Sequence, residues 1–372
     1  MKPQNPGELI KKLLTDQQLA QADLALITGL SRQTISSIIS GRSGITPDTA
    51  VALAAAFGNK PDEWLKLDSD YRLALVQQDK DSQLEIEHRA LVMKAAPIRD
   101  MVKRGWLKST DNFDELEENL KRFFEVSNLK DEVVFEASYR RNTDLPHSDR
   151  AVLAWCMRAR QLAQAVAVKQ FNPDNLPKLQ QDLRRIAAFA KETHRVPQVF
   201  ASYGIRFVVI EPLPQTKVDG AAFWLDDQSP VIAISIRYDR LDHFWFTVMH
   251  ELKHIEHKDS MSIDDGLKEA LEDAEHGLDH IEKRANEGAA SSLIAPEEME
   301  SFIRRFAPLF SEQRVIQFAH RIKIHPAIIV GQLQQRREIS YSTLRKLLPK
   351  VRNNTIQTAL TDGWGQTLPD LS

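Results

Sequence analysis

The sequence predicts a mainly α protein with a small β-sheet: a bundle of short helices, a helical arm, then an α+β domain followed by a basic helical region. Three observations carry this expectation. Short apolar runs recur at helical spacing between Gly, Ser and Pro punctuation up to about residue 75. Longer amphipathic stretches with charged outer faces follow, such as DELEENLKRFFEVSNL and LPKLQQDLRRIAAFAKETH. The period then changes at Ile205, where IRFVVIEPL, AAFWL and VIAISI read as strands ahead of one further helix, FWFTVMHELKHIEH. The expected divisions are 1–75, 76–198, 199–300 and 301–372.

The first division centres on QADLALITGLSRQTISSIISGRSGITPDTAVALAAAFG. Ala25 is small where two helices must cross closely. Gly29 falls at a turn that favours positive φ, and Ser31 can cap the helix that follows. Ile35 and Ile38 face the core of that helix, Gly41 ends it, and Ala50, Leu53, Ala54 and Phe57 add another apolar face. Helix, glycine turn and Ser-capped helix make the pattern of a helix-turn-helix. The second helix of that motif puts its first turns into the major groove of DNA. Arg32 and Gln33 suit bidentate contacts with guanine and adenine. Ser31, Thr34, Ser36, Ser37 and Arg42 suit phosphates or base edges. Residues 1–66 carry seven Lys+Arg against six Asp+Glu, so the solvated side of an ordinary bundle is the competing reading. From about residue 5 to 75, including PDEWLKLDSDYRLA, the stretch closely resembles the XRE/HigA-like DNA-binding domains. The resemblance implies operator binding as a homodimer.

Residues 76–198 read as almost wholly helical, with breaks near Leu145-Pro146-His147 and Phe171-Asn172-Pro173. No recognisable chemistry falls here, and the apolar positions suit core or subunit contact. Cys156, the chain's one cysteine, excludes an internal disulfide framework and fits a reducing, cytoplasmic setting. It lies in the apolar AVLAWCMRA, which suits a buried thiol. No stretch reaches the roughly 18 apolar residues of a membrane span, and the N-terminus lacks a signal-peptide pattern. At 42% hydrophobic and 27% charged residues, the composition excludes wholesale disorder.

The helix after the strands contains His250-Glu251-Leu252-Lys253-His254. Histidines four apart on a helix share one face, so both rings can reach one metal ion. The Glu between them can act as general base toward a metal-activated water. A catalytic zinc takes three protein ligands. The third candidate is Glu282, 28 residues beyond His254, with Asn286 one turn later as a supporting residue. HExxH also arises by chance on amphipathic helices; Glu-x-x-Ala-Asn at workable distance weighs toward Zn2+.

VDGAAFWL, PVIAISIRY, DHFWFTVMHELKH, EKRAN and SSLIAP, in this order, resemble the ImmA/IrrE family of metallo-endopeptidase domains over about Val199 to Pro296. The resemblance implies a thermolysin-like zincin domain, with His250, His254 and Glu282 at the ligand positions and Glu251 at the catalytic one. Two features depart from the family. Lys253 stands where Gly is common, and a later His of the family is met one place nearer by His257, either a competing ligand or a bystander. In such domains a peptide can add along a strand edge, and the resemblance points to VDGAAFWL; support of the helix is the alternative.

Residues 256–282 hold ten acidic residues and two Lys, either a flap over the site or a solvated run. Residues 301–352 hold eleven Lys+Arg and two Glu, and after Asn353 the chain reads as a loosely held terminus. Together these features predict a DNA-binding transcriptional regulator with a zinc-dependent endopeptidase-like domain. Its own operon, or a stress or phage response, would be the target. The alternative is an antitoxin or autorepressor whose metal domain holds a toxin or another regulatory protein with little or no cleavage. A third reading is a stand-alone protease whose first domain only dimerises.

Overall fold

The structure is a computed structural model and describes residues 4–76, 80–129, 147–259, 262–265 and 276–365. It divides into two compact units, Met1–Leu91 and Val92–Ser372.

The first unit holds α1 (Pro6–Asp16), α2 (Gln21–Thr28), α3 (Arg32–Ile39), α4 (Pro47–Phe57) and α5 (Pro61–Val76); α6 (Lys80–Ala95) follows. Helix starts are written locally. Asn5 accepts from the Gly7 N–H ahead of α1, and Thr46 accepts from the Thr49 N–H ahead of α4, each with Pro at the first helical position. Ile10, Leu24, Ile35, Leu53 and Trp64 fill the core. Asp68 on α5 clamps the loop before α4 by accepting from the Ile45 N–H at 3.1 Å, and Arg72 one turn on holds the carboxylate through Nε at 2.9 Å.

Among the described residues, the second unit is built on one five-stranded sheet. Its strands are β1 (Arg206–Ile210), β2 (Val218–Trp224), β3 (Pro230–Ile234), β4 (Ser262–Asp265) and β5 (Leu360–Asp362), in the order β4-β2-β3-β1-β5. β1 runs parallel to β3 and β5, whereas β2 runs antiparallel to β3 and β4. β1 and β3 are apolar without alternation because both their faces are covered. Val208, Ile210, Ala221, Phe223, Val231 and Ala233 pack into one core with α7 (Ile98–Lys103), α8 (Phe113–Phe124) and α9 (His147–Gln164). Phe207, Val209, Ala222, Ile232 and Ile234 pack into the other. That second core holds α10 (Leu176–Ile186), α11 (Val196–Ser202), α12 (Leu241–His257), α13 (His276–Leu293), α14 (Pro296–Phe306), α15 (Glu312–Ile322) and α16 (Pro326–Gln335).

Among the described residues of the helical stretch from Val92 to the strands, Met93 and Phe189 are exposed, whereas Val92, Met101, Leu116, Leu120, Val152 and Leu162 are core. Cys156 is fully buried within it, and Trp155 donates from Nε1 to the Ile210 carbonyl at 3.2 Å. No described helix is long and apolar enough to cross a membrane.

The expectation of a loose terminus after Asn353 fails for residues 354–365. Here α17 (Arg352–Thr355) leads into β5, and Asp362 is 2% exposed. Its carboxylate accepts from Arg104 Nη2 at 3.1 Å, Arg158 Nε at 2.7 Å and Trp106 Nε1 at 2.8 Å. The clamp ties the last strand to the helical layer. Removing the carboxylate takes from the largely buried Arg158 its carboxylate partner and leaves Arg104 with Glu211 as its acidic partner. Asp362→Ala should cost about 3–5 kcal/mol of stability, measured by urea unfolding of the whole chain. A loss below about 1 kcal/mol would show an exposed pair instead.

Candidate metal centre and helix-turn-helix face

α12 is buried on most sides between the sheet, α13 and α16. At its centre His250 is 1% exposed, while Glu251 and His254 are fully buried. His250 Nε2 and His254 Nε2 stand 3.0 Å apart. Glu282 on α13 brings Oε2 to 3.3 Å from His250 Nε2 and Oε1 to 3.8 Å from His254 Nε2. A tetrahedral zinc with bonds of about 2.05 Å has ligand atoms about 3.3 Å apart. The three separations bracket that edge, so the donor set fits the ion. Among the described residues these three form the one group able to hold a metal. His257 is exposed and outside it.

The tautomer of His254 follows from its other nitrogen. Nδ1 lies 2.9 Å from Asp259 Oδ2, and a carboxylate can only accept, so Nδ1 carries the proton and Nε2 presents a lone pair. Burial holds the His254 pKa below its usual value, helped by His250 and opposed by Glu282 and Asp259. The neutral ring is the form that binds a cation. Asp259 reaches the ring because α12 ends on Lys258 in the left-handed region (φ 52°), and the Asp259 N–H bonds back to the His254 carbonyl at 3.0 Å. Arg284 Nη2 donates to the second Asp259 oxygen at 2.6 Å.

Sequence reading missed Asp259. Its only signal is position, five residues past His254, and the turn that aims it falls on a Lys rather than a Gly. Asn286 stands one turn past Glu282 on α13 and is half-buried. His243 was also missed, although it precedes His250 by seven residues, as His257 follows it. It packs at a tilt against Tyr238 (centroids 4.2 Å apart) in a cleft with Asp219, Arg237 and Thr247, and burial lowers its pKa.

Glu251 sits against β2. A Cβ on Gly220 would lie 2.5 Å from Glu251 Oε1 and 2.8 Å from Thr247 Cγ2, so only glycine leaves room. The Lys253 departure has a physical partner as well. Its stem lies over Gly288 of α13, where a Cβ would meet Lys253 Cδ at 3.0 Å, and its Nζ donates to Glu256 at 2.6 Å.

In the first unit, Gly29 adopts φ 69° and Ser31 Oγ accepts from the Thr34 N–H at 3.0 Å, opening α3. Ile35, Ile38 and Ile39 anchor α3, leaving Ser31, Arg32 and Gln33 exposed and Thr34, Ser36 and Ser37 half-buried. The Thr34 hydroxyl already pairs with Ser31 Oγ at 2.8 Å. Arg42 is exposed, with Nε on Ser40 Oγ at 3.0 Å.

The Asp259–His254 contact generates a prediction. Asp259→Asn keeps the shape but loses the charge that holds the ring's tautomer. Zinc affinity should fall about 10- to 100-fold, read by competition with a chelating dye. Unchanged affinity would remove Asp259 from the site.

The helix-turn-helix family model matches residues 10–64, and the IrrE N-terminal-like domain model matches residues 202–345. Virulence-associated protein I of Dichelobacter nodosus is 34% identical over 79 residues, 21% of this chain and 73% of the relative. An uncharacterised helix-turn-helix-type transcriptional regulator of Haemophilus influenzae is 35% identical over 80 residues, 21% of this chain and 75% of the relative. A solved addiction module antidote protein of the HigA family from Coxiella burnetii is 30% identical, covering 23% of this chain and 96% of its own, with a TM-score of 0.22. The chain belongs to the helix-turn-helix transcriptional regulators through its first unit and carries an IrrE N-terminal-like domain in its second.

Proposed function

We propose that the protein is an operator-binding regulator whose second unit is a zinc-dependent endopeptidase. One observation carries the reading: two imidazoles of α12 and a carboxylate of α13 converge at near-tetrahedral spacing, with a buried glutamate beside them against β2. His250, His254 and Glu282 would hold the ion, and Asn286 would support Glu282 from the next turn. Zinc held there supplies Lewis-acid activation of water near neutral pH. Glu251 accepts the proton that water loses on attacking a peptide carbonyl, then delivers it to the departing amine. Asp259 keeps His254 in the binding tautomer throughout.

The first unit would read DNA through Arg32 and Gln33, with Ser31, Thr34, Ser36, Ser37 and Arg42 setting the helix on the phosphates as one half of a homodimer. The target would be the protein's own operon or a stress or phage response, in the cytoplasm. A second reading, an antitoxin or autorepressor that holds a toxin or regulatory partner without cutting it, draws on one observation: the outer edge of β2 is already paired with β4.

Glu251→Gln should leave about one zinc per chain, because it is not a ligand, and abolish cleavage of the partner encoded beside the gene or of the chain itself. Undiminished cleavage sinks the catalytic role; cleavage by neither form, with the partner bound, selects the second reading. On the operator, log affinity should fall linearly with log salt through released counterions. Arg32→Ala with Gln33→Ala should weaken operator binding at least about tenfold while sparing the fold, checked by gel shift and circular dichroism. A flat salt response or intact binding removes the operator role.

A further inference from the structure

β2 has two edges. The inner pairs with β3, and the outer with β4 through Ala222↔Ser262, Ala221↔Ile263, Gly220↔Asp264 and Val218↔Asp265. The register shifts between Val218 and Gly220, and bulges of this kind re-aim a strand next to active sites. Gly220 is also the residue whose missing Cβ makes room for Glu251 and Thr247. A chain on the outer edge of β2 therefore passes one strand spacing, about 4.8 Å, from the backbone that cradles Glu251.

An extended peptide presented to Glu251 needs an edge that accepts its backbone hydrogen bonds. Beside Gly220 the only such edge of β2 is the one β4 holds. β4 is four residues long and belongs to the acidic stretch between the two ligand-bearing helices. An incoming strand would replace the same ladder bond for bond, so exchange leaves the sheet whole. We infer that β4 is a resident occupant of the peptide track of the metal centre, and that extended peptide binds by displacing it. The inference concerns regulation of the proposed peptidase site and rests on that reading for its cleavage consequences; its binding consequence stands apart.

The experiment uses a fluorescein-labelled peptide of residues 260–267 as probe, on the full zinc-loaded chain carrying Glu251→Gln to prevent turnover. Odd-numbered β2 residues bond to β3, as Ser235 N–H to the Asp219 carbonyl shows, so Gly220 faces Asp264 in the β4 ladder. Asp264→Pro removes the N–H aimed at Gly220 and weakens the pairing of β4. An edge filled in nine molecules of ten lowers apparent affinity about tenfold, so adding Asp264→Pro should tighten probe binding at least about tenfold. Equal binding, or none by either protein, overturns the inference. With Glu251 restored and labelled casein as substrate, Asp264→Pro should raise Glu251-dependent cleavage by a similar factor. Probe binding without cleavage keeps β4 as occupant and sinks the peptidase reading; cleavage equal with and without Asp264→Pro keeps the peptidase and sinks the occupant. Should Asp264→Pro unfold, paired cysteines at positions 221 and 263, the close pair without ladder bonds, lock the strand reversibly, since Cys156 is fully buried. The oxidised form should bind the probe at least about tenfold more weakly than its reduced form, and equal binding again overturns the inference.

Discussion

A helix buried on most sides, with two histidines and a glutamate at its centre, is an expensive thing to fold. Each polar side chain moved out of water costs free energy unless it finds a partner. In α12 the expense falls on neighbouring turns, and the protein meets it by convergence. Glu282 arrives from α13 to face both rings, and Asp259 turns back to accept a hydrogen bond from His254 Nδ1. A cation of charge two would complete the set. Much of the second unit can be read as what brings those partners close enough.

Glycine does much of that work, on three elements around α12. Gly220 lets β2 lie against Glu251 and Thr247, Gly288 lets α13 lie under the Lys253 stem, and Gly331 lets α16 meet Asp242, where a Cβ would be 2.7 Å from its Cβ. Ala285 and Ala289 keep the α13 contact thin as well, both fully buried. A Cβ at Gly220 or Gly331 would overlap its neighbour, at 2.5 and 2.7 Å, and one at Gly288 would crowd the Lys253 stem at 3.0 Å. A metal site tolerates little of that, because ligand distances fall within a few tenths of an ångström. Lys253 fits the same scheme: a long side chain at a crowded contact is accommodated by removing the Cβ opposite.

The parts legible in the sequence were those written at short range. The period of α12, the spacing of His250 and His254, the Gly29 turn and the Ser31 cap all depend on residues within a few positions of one another. The three apolar strands were visible because burial on both faces leaves unbroken Val/Ile runs. What stayed hidden depends on long-range pairing. β5 is three residues long, and its anchor Asp362 meets Arg104 across 258 positions. β4 lies in an acidic run whose composition suggests solvent, and its strand state exists only because β2 offers an edge. Asp259 hangs on one left-handed residue, Lys258, at a place where the sequence would sooner suggest glycine.

The position of β4 in the chain bears on how the two halves of the site influence each other. It lies between His254 and Glu282, so the segment that fills the β2 edge also joins two of the three converging side chains. Holding a cation between α12 and α13 pins both ends of that segment, and a chain tethered at both ends keeps a high local concentration near its docking edge. A filled metal site would thus favour return of β4 after each displacement. Loosening α13 would free the strand and spoil the ligand set together. If β4 yields to peptide as inferred, occupancy of the cation site and access along β2 would be joined through this one stretch of backbone.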